Sequence, residues 1–103
     1  MAMGYRFNYR DKLPQIEQIC HRYEVRELWL FGSALGPNFR GDSDLDFLVE
    51  FKPGARVGLL RFNHLQSEFG DTLQWRVDLV PKQGLKPLIR DSVLRSAELV
   101  YAG

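Results

Sequence analysis

The chain has a single cysteine, Cys20, so it cannot close an internal disulfide, form a redox pair or build a cysteine-based zinc cage. A lone thiol of this kind belongs in the core, where free cysteine is most often found. Long apolar runs are missing as well. No uninterrupted stretch exceeds four residues, Leu28 to Phe31 being one, against the roughly 20 that span a bilayer, and residues 1–15 hold no signal-peptide core. The reading is a cytoplasmic protein without a membrane partner. Neither sign of charge is in surplus: 14 basic and 13 acidic side chains leave +1, so no overall field steers the chain to nucleic acid and direct nucleic-acid binding is not expected. Internal repeats and low-complexity segments are also absent, which excludes solenoids.

What remains is ordinary globular composition, 45% hydrophobic and 26% charged over 103 residues. That supports one small core, with a single domain expected over residues 1–103 and no room for a second. Residues 1–10 carry no period and read as a flexible or extended arm. Ile16, Ile19, Cys20 and Tyr23 share one helical face, and Pro14 suits a first helical turn. Val25 to Phe31 and Asp46 to Phe51 are β-branched and aromatic runs closed by Gly32-Ser33 and Pro53-Gly54, and read as buried strands. The turn-rich Ala34 to Ser43 between them is a loop with space for one helical turn. Leu59, Phe62, Leu65 and Phe69 predict a second helix with Gly70 as its C-cap. Arg76 to Val80 predicts a third strand stopped by Pro81. Ile89, Val93, Ala97 and Val100 predict a helix closing the chain. The fold class is α/β (α+β): a small mixed sheet flanked by helices.

The chemistry concentrates in Gly32-Ser33, ten residues, then Asp44-Leu45-Asp46. Side chains alternate along a strand, so Asp44 and Asp46 project to one face about 7 Å apart. Asp78, between Val77 and Leu79, is a third strand carboxylate, and it joins them if its strand neighbours the second. At that spacing and an effective dielectric near 20, each pair costs about 2 kcal/mol. A hard divalent cation with oxygen ligands offsets such repulsion, and Mg²⁺ is commonly held by one or two carboxylates plus nucleotide phosphates. Gly32 lets a phosphate approach the backbone, while Ser33 offers a hydroxyl and an N–H at an expected helix N-terminus. A Gly-Ser after a strand is in most chains only a turn, and Asp42 or Ser43 could simply cap the loop. Asp46 and Asp78 are harder to read that way, because aspartate is disfavoured inside a strand and an unpaired carboxylate there is costly.

These residues resemble the nucleotidyltransferase superfamily with a DNA polymerase β-like palm. The similarity is to its minimal nucleotidyltransferase branch, the MntA-like antitoxins partnered with HEPN toxins. It runs over Leu28 through Phe51, Val77-Asp78-Leu79-Val80, Gly84-Leu85-Lys86-Pro87 and Ile89-Arg90. The resemblance implies that Gly32 and Ser33 bind nucleotide phosphates and that Asp44 and Asp46 ligate Mg²⁺, two ions being expected. It implies that Asp78 completes the metal site or activates the acceptor hydroxyl. Some members carry arginines directly after Gly-Ser. Here Ala34-Leu35-Gly36 stands instead, leaving Arg40 as the loop guanidinium for phosphates or else a solvated side chain. Lys52, Lys82, Lys86 and Arg90 read as surface charges, although Lys86 or Arg90 could face the acids. His21 and His64 have no role, and Trp29 and Trp75 read as packing. The implied activity is transfer of AMP from ATP to a hydroxyl, with a tyrosine of a cognate HEPN toxin as acceptor. The alternatives are an antitoxin that acts by binding alone, and transfer to a small molecule of aminoglycoside type, which the absence of a second domain disfavours. Association with itself or with its partner is left open.

Overall fold

The computed structural model describes residues 8–37 and 39–103. Helix α1 spans Leu13–Arg22, with Pro14 in its first turn, and buries Ile16, Ile19 and Cys20. Glu24 takes a left-handed φ of 59° and turns the chain into strand β1, Val25–Phe31. Strand β2 is Leu45–Phe51, α2 is Leu59–Leu73 and β3 is Val77–Pro81. The chain then forms α3, Pro87–Ser96, and β4, Glu98–Ala102.

The sheet runs β3-β2-β1-β4. β1 lies antiparallel to both β2 and β4, and β2 lies parallel to β3, so α2 is the crossover that a parallel neighbour requires. One face of the sheet packs against α1 and α2. Leu28, Leu30, Leu45, Phe47, Val49 and Leu79 are buried with Ile16, Cys20, Leu65 and Phe69, and Phe47 stacks on Phe69 at 6.0 Å between ring centroids. A core of this make-up is stabilised by roughly 1.5–3 kcal/mol for each large side chain removed from water. Cys20 is buried, as expected, and no helix among the described residues is long and apolar enough to cross a membrane.

Four expectations change. The chain closes on a strand, not a helix: α3 stops at Ser96, Ala97 is extended, and Glu98–Ala102 pairs with β1. Without β4, one edge of β1 would present unpaired backbone groups, and that pairing outweighs the helical spacing of Val93, Ala97 and Val100. Gly70 is not the C-cap of α2. The helix continues to Leu73 and Gln74 supplies the left-handed cap. Gly70 instead permits close approach, since a Cβ there would meet the Trp75 carbonyl oxygen at 3.3 Å. Of the expected N-terminal arm, residues 1–7 lie outside the described residues, but Tyr9 is buried and its hydroxyl donates to Glu98 Oε2, so the arm is docked at that point. Asp44 also falls just short of β2, which begins at Leu45.

Candidate active site

β2 and β3 run in register with Asp46 beside Asp78 and Leu45 beside Val77. Parallel neighbours lie about 4.8 Å apart and point to the same face. Asp46 and Asp78 therefore share the face opposite the α1 and α2 core, while Leu45 and Leu79 enter that core. Two residues before Asp46 and Asp78 are Asp44 and Arg76, whose segments are linked through Leu45 N–H donating to the Arg76 carbonyl at 2.9 Å. The result is two rows: Asp46 with Asp78, and Asp44 with Arg76. Burial, then the neighbouring Asp78 and then Asp44, push the Asp46 carboxyl above its usual value, the behaviour expected of a like-charged cluster. The three predicted acids do converge on one face.

They do not close into a cage. Among the described residues, no three His, Cys, Asp or Glu side chains are grouped as a ready metal site. Asp44 is turned to the guanidinium of Arg76, whose Nε donates to Asp44 Oδ1 at 2.9 Å. Sequence reasoning missed Arg76. The signal available was the period of two along a strand, which puts it on the face of Asp78.

β1 ends beside the acids, because Phe31 pairs with Asp46. The next residue, Gly32, has φ +80°, and a Cβ on it would lie 2.5 Å from Asp46 Oδ2. Only glycine lets the turn pass this close to the carboxylate, and the same bare backbone is what an incoming phosphate would need. Ser33 is exposed on the turn. The helix expected to begin here is a single 3₁₀ turn, Gly32–Leu35, too short for a useful macrodipole, so any phosphate contact rests on the turn's own N–H groups and the Ser33 hydroxyl.

The loop returning to β2 is strapped to the start of β3. Phe39 is buried and stacks on Trp75 with centroids 5.3 Å apart, and Trp75 Nε1 donates to the Ser43 carbonyl at 2.6 Å. Ser43 caps the loop as the sequence suggested: its hydroxyl accepts from Arg40 N–H at 3.1 Å, and its own N–H donates to the Arg40 carbonyl at 3.0 Å. Arg40 is thus fixed at its backbone while its side chain is exposed. Lys82 is occupied elsewhere, 3.5 Å from Glu50 and 5.0 Å from the Trp29 ring centroid. Lys86 is the N-cap residue of α3 and, like His21 and His64, is exposed.

Comparison with known proteins gives the family and the fold. Residues 13–100 match the nucleotidyltransferase domain family. The chain is 40% identical over 85 residues to the protein adenylyltransferase MntA of Thermococcus cleftensis, an alignment covering 82% of each protein. It is similar to a solved structure described as a minimal nucleotidyltransferase, with 36% identity, TM-score 0.73 and coverage of 85% of this chain and 88% of that one. A toxin–antitoxin crystal structure with AMP-PNP shares the fold at 17% identity, TM-score 0.71, covering 88% of this chain and 73% of that one. With the Asp46–Asp78 row, the glycine turn and the mixed sheet in place, the chain belongs to the nucleotidyltransferase domain family, in the minimal branch that includes the MntA protein adenylyltransferase.

Proposed function

We propose that this protein transfers AMP from ATP to a tyrosine hydroxyl of a partner HEPN-type toxin and so acts as an antitoxin in the cytoplasm. The observation that carries the reading is the Asp46–Asp78 row beside a glycine turn that leaves no room for a side chain. The donor set is all oxygen and mutually repelling, which suits a hard divalent cation and offers nothing to a soft one. Asp44 and Asp46 would hold Mg²⁺, two ions being expected, with Asp78 as a further ligand. When bound, the metal would neutralise charge on the phosphates and orient them for in-line displacement.

The chain's own residues have separate tasks. Gly32 and Ser33 receive the triphosphate on bare backbone N–H groups and a hydroxyl, and Arg40 is the loop guanidinium available to it. Asp78 is more exposed than Asp46 and so is the carboxylate of this row open to an acceptor, whose hydroxyl proton it would take. The acceptor oxygen then bonds to the α-phosphorus, the bond from that phosphorus to the bridging oxygen breaks, and pyrophosphate leaves. Positioning and charge neutralisation account for most of the rate in such a transfer.

The relatives support the choice of acceptor: one is named a protein adenylyltransferase, and chains of this fold have been crystallised as MntA-HepT toxin–antitoxin. The test is transfer of label to a cognate HEPN-type protein from ATP labelled at the α- or the γ-phosphate. Label from the α position alone, lost in Asp46→Asn, is the expected result. Label from the γ position would make the protein a kinase and overturn the reading.

A further inference from the structure

The carboxylate face carries its own cation. Arg76 Nε lies 2.9 Å from Asp44 Oδ1, and its terminal nitrogen reaches the Ser43 carbonyl at 3.4 Å. Both partners are more than half exposed, at 59% and 56% of the side chain, so this is no buried structural bridge and can exchange with solvent ions. Its placement is set by its surroundings: Leu45 N–H on the Arg76 carbonyl and the Trp75 indole on the Ser43 carbonyl lock the two segments together one residue to either side of Asp44.

We propose that Arg76 is a positioning residue that competes with the divalent cation for Asp44, so that the site discriminates against free metal and favours metal arriving with a triphosphate. This rests on the metal-dependent reading given above. A bare divalent ion must displace the guanidinium from Oδ1 and then sit near its positive charge. Metal carried on a nucleotide brings phosphate oxygens, which a guanidinium binds well. Arg76 thus opposes the first event and not the second.

The experiment is titration of Mn²⁺ followed by its electron paramagnetic resonance signal, with and without a non-hydrolysable ATP analogue, on wild type, Arg76→Gln, Arg76→Lys and Asp44→Asn. Arg76→Gln should bind Mn²⁺ alone about threefold more tightly, within the range an exposed ion pair can be worth, while binding Mn²⁺ with the analogue no more tightly than wild type. Arg76→Lys, which keeps the charge, should stay within about twofold of wild type in both titrations. Unchanged or weaker Mn²⁺ binding in Arg76→Gln overturns the proposal, as does equal tightening with and without nucleotide, or a lysine variant that behaves like glutamine. Asp44→Asn separates the two levels. If it leaves Mn²⁺ binding intact, Asp44 is no ligand and the metal-site reading itself fails.

Discussion

Asp46 and Asp78 stand side by side on parallel strands, and the partly buried Asp46 carboxyl is pushed above its usual value by burial and by its two acidic neighbours. The native state therefore binds that proton more tightly than the unfolded chain does, and ionised Asp46 weighs against folding at neutral pH.

Asp46→Asn should for that reason stabilise the metal-free protein at pH 7, seen as a Tm above that of wild type. The advantage should shrink as the pH falls and Asp46 in the parent takes up its proton. Thermal melts across pH 4–8 check it, and a variant less stable than wild type at pH 7 would remove the repulsion argument.

Gly32→Ala places a Cβ at φ +80° and 2.5 Å from Asp46 Oδ2. Both the strained backbone and the displaced carboxylate should be felt, with a loss of about 1–3 kcal/mol in stability. Weaker binding of ATP with Mg²⁺ should accompany it. Urea denaturation and calorimetric titration read the two effects separately.

Alkali should unfold the protein through its core. Burial, and then Glu17, push the Cys20 thiol up to about 12. Tyr9 is also pushed up to about 12, by burial first and then by its hydrogen bond to Glu98. A raised acid contributes stability that is complete below its unfolded value and is lost as pH climbs through the folded one. Urea midpoints should hold steady up to about pH 9 and then fall steadily towards pH 12. Cys20→Ala should lose less on that limb than wild type, although it starts from a lower stability because of the cavity.

Trp75→Leu removes the stack on Phe39 and the indole hydrogen bond to Ser43. It should cost about 2 kcal/mol. Amide exchange over residues 39–45 should rise more than exchange in α1 if this ring is what straps the loop to β3.

How far the sequence carried this picture follows from which interactions are local. β1 and β2 were readable because β-branched and aromatic runs ended at turn residues, and Asp46 and Asp78 stood out because an acid inside such a run needs a reason. Their meeting depended on β2 and β3 being neighbours, a non-local pairing that spacing could only make conditional. β4 was unreadable for a related reason: Val93, Ala97 and Val100 fit a helix, and only the open edge of β1 makes Glu98–Ala102 a strand. Gly70 was read as a cap because glycine after an apolar helical run often is one, whereas its role is contact with Trp75. Arg76 escaped notice because an arginine at the start of a strand looks like any solvated charge until Asp44 is seen beside it.

The most direct test of the account is the intact mass of the partner HEPN-type toxin after incubation with ATP, Mg²⁺ and either wild-type protein or Asp78→Asn, alongside the affinity of each for that toxin. The account predicts a toxin heavier by whole AMP units with wild type, an unmodified toxin with Asp78→Asn, and affinities within a few-fold of each other. An unmodified toxin that wild type and Asp78→Asn restrain equally well would contradict it, leaving a protein that acts by binding alone.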